Sequence, residues 1–177
     1  MLMAGDTIEE FIDLLGAYEI ERLVDIRTVP KSRHNPQFEQ TALASSLSES
    51  GIFYDYSKDL GGLRPKAKKS VNLGWRNESF RNYADHMQTE GFRTAVEQLV
   101  EMAKENTTAI MCAEAVPWRC HRSLVGDAAL VRGLEVADIM SATNAKPHKL
   151  TSFAVVEGTN ITYPESGAID GRGSSSR

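Results

Sequence analysis

The sequence predicts an α/β fold: a mainly parallel β-sheet with helices on both faces and a C-terminal β-hairpin. Three observations carry this expectation. Short apolar, β-compatible runs alternate with segments of helical apolar spacing along most of the chain. Two of those runs, Arg22–Arg27 and Thr107–Cys112, lead into polar loops broken by proline. Only the last pair of runs, Ser152–Val156 and Ile161–Tyr163, is joined by a tight turn, Glu157-Gly158-Thr159-Asn160.

Taken in order, Asp6 or Thr7 can cap a first helix, and Glu9 or Glu10 can close a capping box. Ile8, Phe11, Ile12 and Leu15 form its apolar stripe, and Gly16 lies near its end. In the strand Arg22–Arg27, alternation sets Leu23, Asp25 and Arg27 on one face and Val24 and Ile26 on the other. A carboxylate in a buried strand must be paired, and Arg27 is the nearest partner for Asp25. The pair is either structural or part of a site. The loop Thr28–Gln37 follows, with Pro30, Lys31, Ser32, Arg33, His34 and Pro36.

Phe38–Ser50 reads as a helix stopped by Gly51, with Ala42, Leu43 and Leu47 inward. Ile52–Tyr56 is a second strand, and Asp59-Leu60-Gly61-Gly62 a turn. Leu63–Asn77 is the most basic stretch and reads as an irregular insertion or mobile flap. Phe80, Tyr83, Ala84 and Met87 mark one helix, with the Tyr83 hydroxyl within reach of the sheet end and His86 exposed. Phe92, Ala95, Val96, Leu99 and Ala103 mark another.

Thr107–Cys112 is the next buried strand. Ile110, Cys112 and Glu114 share one face, and Ala109, Met111 and Ala113 the other. Pro117 suits a first helical turn, and Leu124, Val125, Ala128, Ala129 and Val131 continue at helical spacing. Cys120 and His121 then fall in the first turn, where free N–H groups and the helix dipole favour anions. Arg119 and Arg122 add positive charge, and a thiol so placed can become a nucleophile. Cys112 reads as a core residue, since a free cysteine packs as a small hydrophobe. Leu134–Ile139 is a further strand, and His148 is a candidate lining residue.

With 177 residues the chain predicts one domain, 1–164, and a flexible Gly/Ser-rich tail, 165–177. The net charge of −4 gives no general reason to bind nucleic acid or anionic membrane. No apolar run approaches the roughly 18 residues of a membrane span, and no leader pattern opens the chain. Two cysteines do not make a disulfide framework. These features together predict a cytoplasmic protein.

The run CAEAVPWRCHR resembles the signature of the domain of unknown function 488 family: a cysteine, an acidic residue, a proline, then Cys-His-Arg. The likeness extends to LVDIRTVPKSRHNPQF (23–38), GIFYDYSKDLGG (51–62), YADHMQTEGF (83–92) and HKLTSFAVVEGTNITYP (148–164). Similar proteins carry the Asp-x-Arg of Asp25 and Arg27, then a proline and a Ser-Arg, here Ser32-Arg33. The resemblance also implies a strand with a Gly-His-Ser-like turn ahead of the first helix, where this sequence has MLMAGD.

Three readings of function follow. The first is an enzyme or enzyme-like binder of a small anionic or phosphate-bearing, nucleotide-type ligand. Cys120, His121 and Glu114 would be catalytic, and Asp25, Arg27, Arg33, Arg119, Arg122 and Tyr83 ligand-binding, with no metal and no cofactor identified. The loop AEAVPW between Cys112 and Arg119 has no glycine and carries the Glu114 carboxylate, so it is not the phosphate cradle of a cysteine phosphatase. The second is a nucleic-acid or partner-binding module using the Leu63–Asn77 segment with Trp75. The third is a metal or thiol-redox site, disfavoured for metal because adjacent Cys and His on one helix diverge by roughly 100°. A Cys112–Cys120 disulfide requires the two Cα atoms within ~7 Å.

Overall fold

Strong helix caps and β-branched runs set the elements, and the computed structural model assembles them; it describes residues 7–31, 34–114 and 120–165. Thr7 and Glu10 close the capping box of α1, Ile8–Gly16. Strands β1 (Arg22–Asp25), β2 (Phe53–Tyr56) and β3 (Thr108–Met111) form a parallel sheet in the order β2-β1-β3. Asp25 stands level with Tyr56 on one side and Met111 on the other, so the three strands end together.

Both faces of this sheet are covered. Leu23, Ile52 and Met111 pack with Phe11 and Leu15 of α1 and with Leu43 and Leu47 of α2, Gln40–Glu49. Val24, Ile26 and Cys112 pack against α3 (Glu78–His86), α4 (Glu90–Glu105) and α5 (Arg122–Leu130). The expected helix over Phe38–Ser50 begins two residues later, because Pro36–Phe38 forms a separate 3-10 turn that tucks Phe38 into the core.

The C-terminal part differs from expectation in one respect. β6 (Val155–Glu157) and β7 (Asn160–Thr162) form the antiparallel hairpin. The strand expected at Leu134–Ile139 instead runs Ala137–Ser141 as β4 and pairs antiparallel with β5, Asn144–Pro147. It does not extend the parallel sheet. Asn-Ala-Lys-Pro has no apolar alternation and stays exposed, so backbone pairing alone makes β5 a strand. A cavity of about 330 Å³ separates β3 from residues 134–139, lined by Phe11, Leu15, Leu99, Val125 and Ala129.

The basic segment 63–77 is irregular, as expected, but it is strapped down rather than a mobile flap. Asn72 is fully buried; its amide donates to Asp85 at 2.7 Å and its carbonyl accepts from the Tyr163 N–H at 2.9 Å. Trp75 packs against Phe80, Phe153 and Tyr163. His86, expected in solvent, is half-buried and bonds the Asp59 carbonyl at 2.7 Å.

A buried carboxylate ties the terminal hairpins to α5. Asp127 is fully buried and accepts bonds from Thr151 N–H, the Tyr163 hydroxyl and His148 Nε2 at 2.9–3.1 Å. His148 Nδ1 meets Asp138 of β4 at 3.0 Å. Both ring nitrogens therefore face acceptors, which requires the imidazolium. His148, expected at a crevice, is a structural cation. The Asp127 hydrogen bond, then Asp138, raises its pKa from 6.5 to about 9, against the burial that lowers it.

Because the folded value lies above the unfolded one, this stabilisation is complete below pH 6.5 and is lost as pH rises through about 9. Thermal melts of wild type and His148→Gln should show the largest gap below pH 6.5, narrowing above about 9. A gap of constant size across that range would disprove the charged assignment.

Candidate functional site

The shared end of β1 and β3 delivers two backbone segments to one place. Ile26 N–H donates to the Met111 carbonyl at 2.9 Å, prolonging the pairing by one residue. Cys112 then leaves β3 on the same face as Ile110, as alternation demands. The chain returns at Cys120, and the two sulfur atoms lie 3.2 Å apart. Both thiols are free and buried. Cys112, read from the sequence as a core residue, does lie in the core and is also half of a thiol pair.

Cys120 and His121 lie just ahead of α5 rather than in its first turn: His121 is the N-cap and Arg122 the first helical residue. His121 keeps helical backbone angles and its carbonyl accepts the first bonds of the helix, yet its ring and the Cys120 sulfur converge instead of diverging. The ligand atoms of Cys112, Cys120 and His121 all lie within 4.8 Å of one another.

Arg122 holds the pair from the other side. Its Nε donates to Cys120 Sγ at 3.0 Å and its backbone N–H does so at 3.4 Å. Its Nη2 donates to the Glu114 carbonyl at 2.5 Å. Glu114 enters the site through its backbone, since its N–H also donates to Cys112 Sγ at 3.3 Å. Arg122 is itself buried, so its charge acts at short range in a low dielectric.

These contacts divide the protons. The Cys112 thiol, donating to its neighbour, lowers the Cys120 pKa from 9.0 to about 6; burial opposes this and Arg122 reinforces it. The same hydrogen bond, together with burial, pushes Cys112 well above the ordinary thiol range. The opposite directions of the two shifts favour a thiolate on Cys120 bonded by a thiol on Cys112.

His121 is uncharged near neutral pH. Burial lowers its pKa to about 4; the Ile26 carbonyl opposes this, and the positive charges of Arg122 and Arg64 add to the lowering. Its Nε2 lies 3.2 Å from the Ile26 carbonyl, which can only accept, so the proton sits on Nε2 and Nδ1 is bare. The ring packs on Tyr83, centroid to centroid 5.1 Å, and over Gly62. Tyr83 reaches the sheet end, with its hydroxyl donating to the Leu60 carbonyl at 2.8 Å.

Arg64 is a residue the sequence reading passed over, because it opens the basic segment set aside as an irregular flap. Its Nε donates to the Gly61 carbonyl and its Nη2 to the Lys58 carbonyl, both at 2.8 Å. These bonds hold its charge near His121. The signal available was position: Arg64 stands two residues after the Gly61-Gly62 turn.

Asp25 and Arg27 are brought together on the opposite face. Arg27 Nε and Nη2 donate to the Asp25 carboxylate at 2.5–3.0 Å, Tyr54 adds its hydroxyl at 2.8 Å, and Arg27 Nη1 donates to the Phe38 carbonyl. The pair is buried and its described contacts are with each other and these neighbours. Arg33 and Arg119 lie outside the described residues, as do the MLMAGD segment except for the helix cap that follows it, and the tail beyond residue 165.

Gly62 lets the ring of His121 sit where it does. A Cβ there would fall 2.7 Å from Cε1, inside van der Waals contact. Gly62→Ala should cost about 1–3 kcal/mol in chemical denaturation, as overpacking does. Gly16→Ala, which meets nothing within 4 Å, is the control and should be near neutral. Equal effects of the two would remove the packing argument.

A family model matches residues 7–129, well over half of the chain, from the start of α1 to the last turn of α5. The stretch 148–164, to which the likeness was expected to extend, falls outside that match. No curated protein and no solved structure matches the chain. The matched region contains β1, β2, β3, both cysteines, His121 and Arg122, and on this basis the chain belongs to the family described as Domain of unknown function DUF488.

Proposed function

We propose that the site is a thiolate-dependent active site for a small anionic or phosphate-bearing ligand. The observation that carries this is the contact of Arg122 Nε with Cys120 Sγ at 3.0 Å, beside the Cys112 thiol at 3.2 Å. A cation and a thiol donor on one sulfur stabilise its thiolate, the nucleophilic form. Cys120 is the nucleophile in this reading. Arg122 and Arg64 supply the positive potential that draws an anion. His121 offers a neutral ring positioned by Tyr83 and Gly62, and Glu114 holds Arg122 through its carbonyl. Asp25 and Arg27 fix the end of β1, and Arg33 and Arg119 are further donors by sequence.

Two observations weigh against the rival readings. The ring of Trp75 is packed among Phe80, Phe153 and Tyr163, so it offers no stacking platform to nucleic acid. A tetrahedral metal with two thiolates at ~2.3 Å would hold the sulfurs roughly 3.8 Å apart, wider than this pair, and would enter beside a buried guanidinium.

Alkylation tests the proposal. Cys120 should react with iodoacetamide with a midpoint near pH 6, against ~8.5 for an ordinary thiol. Arg122→Gln should move that midpoint upward. Anionic iodoacetate should gain on neutral iodoacetamide relative to a free thiol. An ordinary midpoint overturns the thiolate, and a lost iodoacetate advantage overturns the anion preference. Stoichiometric zinc or iron that vanishes in Cys120→Ser would replace both with a metal centre.

A further inference from the structure

The thiolate reading assigns Cys120 a role but leaves Cys112 only as its hydrogen-bond donor. The geometry asks more of Cys112. The chain has two cysteines, and folding places both sulfurs in contact although they stand eight positions apart in the sequence. Cys112 stands at the end of a core strand and Cys120 just ahead of a core helix, so neither sulfur is on a floppy segment. Both are less than a tenth exposed. Burial to this degree favours a small neutral oxidant over a bulky protein disulfide.

We propose that Cys112 is the resolving thiol of Cys120, and that the site carries two-electron thiol–disulfide chemistry with a small hydroperoxide as oxidant. This rests on the reading of Cys120 as the reactive thiolate. In the first step the Cys120 sulfur attacks the distal oxygen of the hydroperoxide. The O–O bond breaks, the hydroxyl group passes to sulfur to make Cys120 a sulfenic acid, and the departing alkoxide takes a proton from solvent water to become the alcohol. In the second step the Cys112 sulfur, giving up its proton, attacks the Cys120 sulfur. The S–O bond breaks and the departing hydroxide takes that proton as water. Two thiols have lost two electrons, and the hydroperoxide has become alcohol and water.

Little movement is needed. The sulfurs approach from 3.2 Å to a bond of about 2.05 Å. Arg122 supports the first step by keeping the attacking sulfur ionised. Its guanidinium retains the Glu114 carbonyl when the thiolate is consumed, so its charge does not lose every partner. A buried sulfenic acid with a thiol already in contact has a short path to the disulfide and a long one to further oxidation.

The test uses the reduced full-length chain with hydrogen peroxide near neutral pH, read by thiol count, intact mass and dimedone labelling. In wild type both thiols should disappear together with the loss of two hydrogens from a monomer, and return with dithiothreitol. Cys112→Ser should stop at a sulfenic acid on Cys120, with at least about tenfold more dimedone adduct than wild type. Cys120→Ser should leave Cys112 unoxidised. Equal dimedone labelling of wild type and Cys112→Ser, or thiols that survive excess peroxide, overturns the proposal. Alkylation separates the two readings. A midpoint near pH 6 without disulfide formation sinks the resolving role alone, and a disulfide with an ordinary midpoint sinks the low-pKa thiolate alone.

Discussion

The parallel pairing of β1 with β3 is the constraint on which the rest of the molecule depends. Equal register, Arg22 to Thr108 and Asp25 to Met111, makes both strands stop at one level. Slipping the pair by one residue would turn every side chain to the other face. Cys112 would then leave the core that holds Cys120, and Ile26 would no longer present its carbonyl to His121. The site is a consequence of where a ladder of backbone hydrogen bonds ends.

Each face of that sheet hides a carboxylate, and each is saturated. Asp25 is bonded by Arg27 and Tyr54 on the α1 and α2 side. Asp127 is bonded by His148, Tyr163 and the Thr151 N–H on the other. An unpaired carboxylate in either place would cost several kcal/mol, so these partners act as a set. Asp127 fastens the segments after α5 onto the core, although those segments lie outside the family match. Those segments are held both by these polar side-chain bonds and by the packing of Phe153, Ile161 and Tyr163 in the helix-side core.

The chemistry at the sheet end follows from unequal treatment of neighbours. Burial penalises every charge there, yet a thiol donor and a guanidinium lower the Cys120 pKa and favour its thiolate. His121, one residue on, has a carbonyl and two nearby arginines, and stays neutral. The expectation that a helix N-terminus would organise the site is met only in part. One N–H, that of Arg122, reaches the sulfur, and side chains do the rest.

The sequence by itself determined the local framework. Alternation in LVDIR and TAIMC placed Leu23 and Met111 on one face and Val24, Ile26 and Cys112 on the other, because a strand admits two faces only. Capping residues and apolar stripes located α1, α3 and α4, and the Glu157–Asn160 turn located the last hairpin. The two-residue separation of Asp25 and Arg27 announced their pairing. Asp127 went unread in the sequence, because the partners that make its burial tolerable, His148 and Tyr163, are distant in the chain. Only the tertiary structure decided such matters. It brought Cys112 to Cys120, recruited Arg64 from a segment that reads as solvated, and sent β4 to a hairpin partner instead of the sheet. Each of these depends on contacts between residues whose local patterns are independent, and a local pattern records the face a residue occupies but not which residue will meet it there.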